Sequence, residues 1–182
     1  MFCVVDLGFT PRLATEIDDS GEVRLDRIRG LIEGSKFSIH DLSRCQAREV
    51  GEHFRLNMPF ELGIDYGCRQ YFGEGRASKR FLILEEQRYR YQAALSDISG
   101  SDIQAHGGDY QKAVKKVRNW MVNTAGADVI GTSAIFTHYL TFQEWYVERQ
   151  LASGASFDDI KEYPTSELLA AMFDWLDADR PV

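Results

Sequence analysis

The stretch "KRFLILEE", residues 79–86, constrains this chain more than any other. Phe81, Leu82, Ile83 and Leu84 follow one another without a polar interruption. A strand that is apolar at successive positions has no face to turn to water, so both of its faces must be covered. Two further runs read as strands. "FCVVDL" (2–7) is nearly continuous and rich in β-branched residues, and "KFSIHDL" (36–42) alternates before it turns polar. Between them, Val23, Leu25, Ile28, Leu31 and Ile32 recur at helical spacing, and "MPFELGIDYGCRQYF" (58–72) supplies a second helix. The order strand, helix, strand, loop, helix, strand predicts a parallel sheet with crossover helices. That is a three-layer α/β domain with helices on both faces of the sheet.

"DYQKAVKKVRNWMVNTA" (109–125) predicts an amphipathic helix capped by Asp109. Beyond it the pattern is helical only, with "GTSAIFTHYLTFQEWYVERQLA" and "TSELLAAMFDWLDA" as the two long segments. We therefore expect an α/β nucleotide-binding-like domain over 1–126 and a helical C-terminal extension packed on it over 127–182. The extension carries Phe136, Tyr139, Phe142, Trp145, Tyr146, Phe173 and Trp175. These residues suit a core, and equally an interface that makes a homo-oligomer.

Charge narrows the partners. A net charge of −7 over 182 residues is unfavourable for binding bulk nucleic acid, although it permits a small nucleotide. No apolar run approaches the roughly 20 residues that span a bilayer, and the N-terminus lacks the pattern of a signal peptide. No membrane partner and a cytoplasmic location are therefore expected. Cys3, Cys45 and Cys68 form no metal or redox motif, and no cofactor-binding or metal-binding signature is present.

Ligands of open parallel sheets bind beyond the carboxyl ends of the strands. The three expected strands end in Asp6, Asp41 and Glu85 or Glu86, and the helix that opens at Asn57 starts on the same side. Its Glu61 lies one position beyond where a capping box on Asn57 would place an acid, while the helix dipole favours a charge there. A solvated stripe of Glu61, Asp65 and Arg69 would show the same spacing. The loop 43–56 is long enough to be functional and carries Arg44, Arg48, His53 and Arg55, which suit a phosphate. "SDISGSDIQAHGGD" (96–109) clusters Asp97, Asp102, His106 and Asp109 and reads as a turn followed by a helix cap, matching no metal motif. His40 and His138 read as structural.

Three segments together, "DLGF", "HDLSR" and "NMPFELG", resemble the nucleoside 2-deoxyribosyltransferase-like branch of the flavodoxin-like folds. Toll/interleukin-receptor-like domains are architectural relatives of that branch. The segments are also similar to those of bacterial proteins that we associate with defence or toxin systems. The resemblance covers roughly residues 1–86. It implies that Glu61, followed by Leu62 and Gly63, is the nucleophile that attacks the anomeric carbon, with Asp41 as acid/base or ligand-holding residue. It further implies substrate contacts from Asp6, Gly8, Phe9, Ser43, Arg44, Asn57 and Tyr66. The chemistry implied is retaining transfer or hydrolysis at the N-glycosidic bond of a nucleoside or nucleotide. The chain departs from the family pattern in having Asn57-Met58-Pro59 where a Gly-Thr pair is usual.

Two other functions fit the same residues. Asp6, Asp41 and Glu85 would suit Mg²⁺ and phosphoryl transfer. A non-catalytic Toll/interleukin-receptor-like module would bind a nucleotide through Arg44, Arg48 and Arg55 and signal by assembling through its aromatic helices.

Overall fold

The computed structural model describes residues 1–16, 19–45, 47, 49–53 and 55–181. The chain divides into two compact units, one formed by residues 20–120 and the other by residues 1–19 together with 121–182.

The unit 20–120 is an α/β structure built on a parallel sheet. Its strands β1 (Phe37–Asp41), β2 (Arg80–Glu85) and β3 (Gln104–Ala105) lie in that order, with β2 in the middle. Asp41 pairs with Leu84, and Leu84 and Glu85 pair with Gln104 and Ala105, so all three strands end at one edge. As its apolar run requires, β2 is buried at four successive positions from Leu82 to Glu85. Helix α2 (Arg24–Gly34) buries Ile28 and Ile32, and α3 (Asn57–Tyr71) connects β1 to β2. Leu62 of α3 meets Leu42, Ile83 and Tyr91 in the core, with Met58, Tyr66 and Phe81 packed against them. Helix α4 (Tyr110–Trp120) follows β3, and Asp109 caps it by accepting from the N–H groups of Gln111 at 2.8 Å and Lys112 at 3.2 Å.

A buried ionic cluster fixes α3 to the sheet. Asp65 of α3, none of it exposed, pairs with Lys79 at 3.2 Å and accepts from His40 Nε2 at 3.0 Å and from the Ser38 hydroxyl. Lys79 also donates to the Ile32 carbonyl at 2.6 Å and to that of Ser35. Burial alone would raise the Asp65 pKa, but the bonds from His40 and Ser38 and the Lys79 ammonium outweigh it and hold the carboxyl below its ordinary range. Asp65, expected as one member of a solvated stripe, is an anchor instead.

The other unit is helical. Helix α1 (Phe2–Asp6) lies against α5 (Thr132–Ala152) and α7 (Thr165–Asp177), and α6 (Phe157–Glu162) lies against α5. The expectation of a strand at "FCVVDL" is overturned, since Phe2–Asp6 is helical. A run this short has no period to separate a strand from a buried helical turn. Its surroundings decide the matter, because the Phe2 ring sits 5.3 Å from Tyr139, 5.4 Å from Phe142 and 5.9 Å from Trp175. Of the C-terminal aromatics, Phe142, Tyr146 and Trp175 are buried in this cluster. Among the described residues, no helix is long and apolar enough to cross a membrane.

Candidate functional site

The edge where the three strands end opens into a cleft of about 720 Å³, within the range typical of small-molecule sites. Asp41, Ser43, Arg44 and Cys45 line it from the end of β1. Arg55, Leu56, Asn57 and Met58 line it from the start of α3, and Glu86, His106 and Gly108 from the ends of β2 and β3.

Each wall has a local cause. After β1 the Leu42 N–H still donates to the Leu84 carbonyl at 2.9 Å, and the chain then turns tightly, Cys45 N–H bonding the Leu42 carbonyl at 3.0 Å. Asp41 stabilises that turn by accepting from the Ser43 N–H at 3.0 Å. At the far end of the loop, the Arg55 N–H donates to the Arg44 carbonyl at 3.3 Å, which sets the two arginines side by side on the cleft wall. The ladder between β2 and β3 runs on past the strands, with His106 N–H bonded to the Glu85 carbonyl at 3.0 Å and Gly107 N–H to the Glu86 carbonyl at 2.8 Å. Arg90, outside the cleft lining, pairs with buried Glu85 at 2.5 Å and reaches Glu86 at 3.4 Å.

Three polar side chains meet inside. The Ser43 hydroxyl lies 2.5 Å from Asp41 Oδ1 and 2.8 Å from His106 Nε2, while His106 is 3.7 Å from Asp41. Asp41 keeps half of its side chain exposed, so its carboxylate is open to a ligand. Cys45 is no nucleophile here. Burial, with lesser help from Glu85 and Asp41 against the opposing Arg90, pushes its thiol up to about 11, so it stays protonated at neutral pH.

Of the residues expected to form the site, the cleft brings together Asp41, Ser43, Arg44 and Asn57. Glu61 is half-buried on α3 and outside the cleft lining. Because α3 is capped by Leu56 rather than Asn57, no acid falls in its first turn, and the dipole argument for Glu61 does not apply. Tyr66 packs on Phe81 with ring centroids 4.6 Å apart and bonds Ser101 at 2.8 Å. Asp6, Gly8 and Phe9 belong to the helical unit, where Asp6 pairs with His138 at 2.9 Å and Arg180 at 3.2 Å. The trio Asp6, Asp41 and Glu85 considered for Mg²⁺ is thus split between the two units, and Glu85 lies buried under Arg90. Among the described residues, no three His, Cys, Asp or Glu side chains are grouped to hold a metal ion. Arg48 lies outside the described residues.

The sequence around His106 reads as a turn followed by a helix cap rather than as part of a cleft. Its strand, Gln104–Ala105, has only two residues and carries no apolar pattern. The Gly107-Gly108 pair after it was the one available signal, since both residues take positive φ, 66° and 74°. No family model, curated protein or solved structure matches this chain.

Proposed function

We propose that the cleft binds a nucleoside or nucleotide and breaks its N-glycosidic bond, with Asp41 as the carboxylate that meets the sugar. What supports this most is the presence of a half-exposed Asp41 in one cleft with Arg44, Arg55 and the opening turn of α3. Arginines beside a helix start suit a phosphate. A carboxylate lining the same cleft is then placed to attack the anomeric carbon. In that step the C–N electron pair leaves with the base, which takes a proton from water. Water next attacks the anomeric carbon of the sugar ester, and Asp41 departs as a carboxylate. The resemblance to deoxyribosyltransferase-like proteins supports the same chemistry, with the reagent at the end of the first sheet strand rather than on the helix. It also supports a flavodoxin-like, three-layer arrangement around the sheet and a place in a bacterial defence or toxin system.

A second reading rests on Glu86. The other carboxylate lining the cleft is held by Arg90 at 3.4 Å rather than offered to a departing base. On that ground the cleft would bind its nucleotide without turnover, as a signalling module does.

Incubation with a panel of nucleosides, nucleotides and NAD, followed by mass spectrometry for free base, tests the proposal. We expect Asp41→Asn to lower release by about a thousandfold or more and Glu61→Gln to leave it within about threefold. Loss of release in Glu61→Gln alone would return the nucleophile to the helix. Binding without release in the wild-type chain establishes the second reading, and neither binding nor release rejects both.

A further inference from the structure

We infer that Ser43 and His106 are positioning residues for Asp41, and that together they leave Oδ2 as the one carboxylate oxygen open to a ligand. The inference rests on Asp41 meeting the ligand, as proposed above. Its basis is the direction of a hydrogen-bond chain. The Gly108 N–H lies 3.2 Å from His106 Nδ1 and can only donate, so Nδ1 accepts. A neutral imidazole with Nδ1 unprotonated carries its proton on Nε2. Nε2–H therefore donates to the Ser43 oxygen at 2.8 Å. The single hydroxyl proton of Ser43 is then directed to Asp41 Oδ1 at 2.5 Å. The Ser43 backbone N–H reaches the same Oδ1 at 3.0 Å. Two donors from one residue thus hold Oδ1, while Oδ2 keeps its lone pairs.

The same directionality excludes a serine-nucleophile triad. In such a triad the imidazole accepts the hydroxyl proton, and the carboxylate sits on its other nitrogen. Here the imidazole donates to the hydroxyl, and the carboxylate lies beyond the serine. The turn that fixes this order needs glycine, since Gly107 and Gly108 both take a left-handed φ, 66° and 74°. His106 itself is buried, so its ring is held rather than free to flip.

The experiment has an arm that needs no turnover. In protein labelled with ¹⁵N-histidine at pH 8, the His106 signals, assigned by their loss in His106→Gln, should show Nε2 protonated and Nδ1 bare. Ser43→Ala should move the Nε2 resonance and leave the tautomer unchanged. The opposite tautomer, or an Nε2 signal indifferent to Ser43→Ala, overturns the inference even if no substrate in the panel is cleaved. The second arm uses whichever panel nucleotide is cleaved. Ser43→Ala and His106→Leu should each lower kcat by about tenfold or more, roughly the worth of one bond to a charged group, with KM held within about threefold. Ser43→Thr keeps the hydroxyl and His106→Gln keeps an Nε donor, so both should stay within about threefold of wild type. If Asp41→Asn abolishes release while Ser43→Ala and His106→Leu turn over normally, the positioning role is wrong and the Asp41 reading stands. If Asp41→Asn is fully active, the reading itself has failed.

Discussion

The Arg90 guanidinium donates to the Ser43 backbone carbonyl at 2.8 Å while the same nitrogen pairs with Glu85 at 2.5 Å. One side chain thereby joins the turn after β1 to the end of β2, the two pieces of chain that carry Ser43 and Glu86 into the cleft. The Glu85 carboxylate is 1% exposed, so the ion pair has little water to fall back on if one partner is lost.

Replacing Arg90 by Met should therefore cost about 3–5 kcal/mol, because it strands a buried carboxylate. Adding Glu85→Gln to that variant should recover a good part of the loss. The double-mutant cycle, read by urea denaturation, should show coupling of about 1–3 kcal/mol. A coupling near zero means that Arg90 acts through packing alone.

The Asp65 cluster predicts how stability responds to acid. Its folded pKa is depressed below the unfolded value of about 3.9. A depressed carboxyl stabilises the fold fully above the unfolded pKa, and that share is lost as pH falls through the folded one. Wild-type stability should thus drop steeply below about pH 4, and Asp65→Asn, less stable at pH 7, should fall along a shallower slope there. Urea titrations at pH 7, 5, 4 and 3 measure both slopes. Parallel slopes would remove Asp65 from the acid response.

How far the sequence could be read depended on how much each element advertises itself. β2 was legible because burial on both faces demands a continuous apolar run, and Leu82–Leu84 meets the demand. β3 was not, since Gln104 and Ala105 join the sheet through backbone bonds to Leu84 and Glu85 that any side chain would allow. Helix α1 does not show itself in the sequence because Phe2 is packed among aromatic rings from α5 and α7, partners more than 130 positions away. In the cleft, Asp41 followed from the rule that ligands sit at strand ends, Arg44 from the length and charge of the loop after β1, and Ser43 and Asn57 only from the family resemblance. His106 did not, because its contact with Ser43 spans 63 positions and exists only once β3 is in register.

Arg44 and Arg55 should set a preference for phosphorylated ligands. If they face the phosphate, Arg44→Ala and Arg55→Ala should each weaken binding of a nucleoside monophosphate by about tenfold and leave the nucleoside unchanged. Calorimetry with adenosine and its 5′-monophosphate at two salt concentrations reads this directly, with the phosphate increment shrinking at the higher salt. An equal loss for both ligands would place the arginines on the base or sugar.

Cys45 lines the cleft but should be chemically quiet. With a thiol at about 11 in the fold against an ordinary value of 9.0, its thiolate fraction at pH 8 falls on the order of a hundredfold on folding. Peptide mapping after iodoacetamide treatment should show Cys45 alkylated slower by about that factor in the native chain than in urea. A native rate near the unfolded one would contradict the burial that raises the thiol.

Asp6 offers the sharpest contrast between the expected role and the observed one. As a ligand-binding acid, its loss would weaken nucleotide binding. In the structure its side chain is wholly buried in the helical unit and accepts from His138 Nδ1 at 2.9 Å and from the Arg180 guanidinium at 3.2 Å. These bonds tie α1 to α5 and to the residues after α7, so the carboxylate serves stability. Asp6→Ala should cost about 1–3 kcal/mol, because it removes the shared acceptor of a histidine and an arginine whose side chains are 30% and 36% exposed and can turn to water, whereas Asp6→Asn, which keeps an oxygen acceptor, should cost less. In neither variant should the dissociation constant of a cleft nucleotide, measured on the folded fraction, move by more than about twofold. A rise of tenfold with stability intact would restore Asp6 to the binding site.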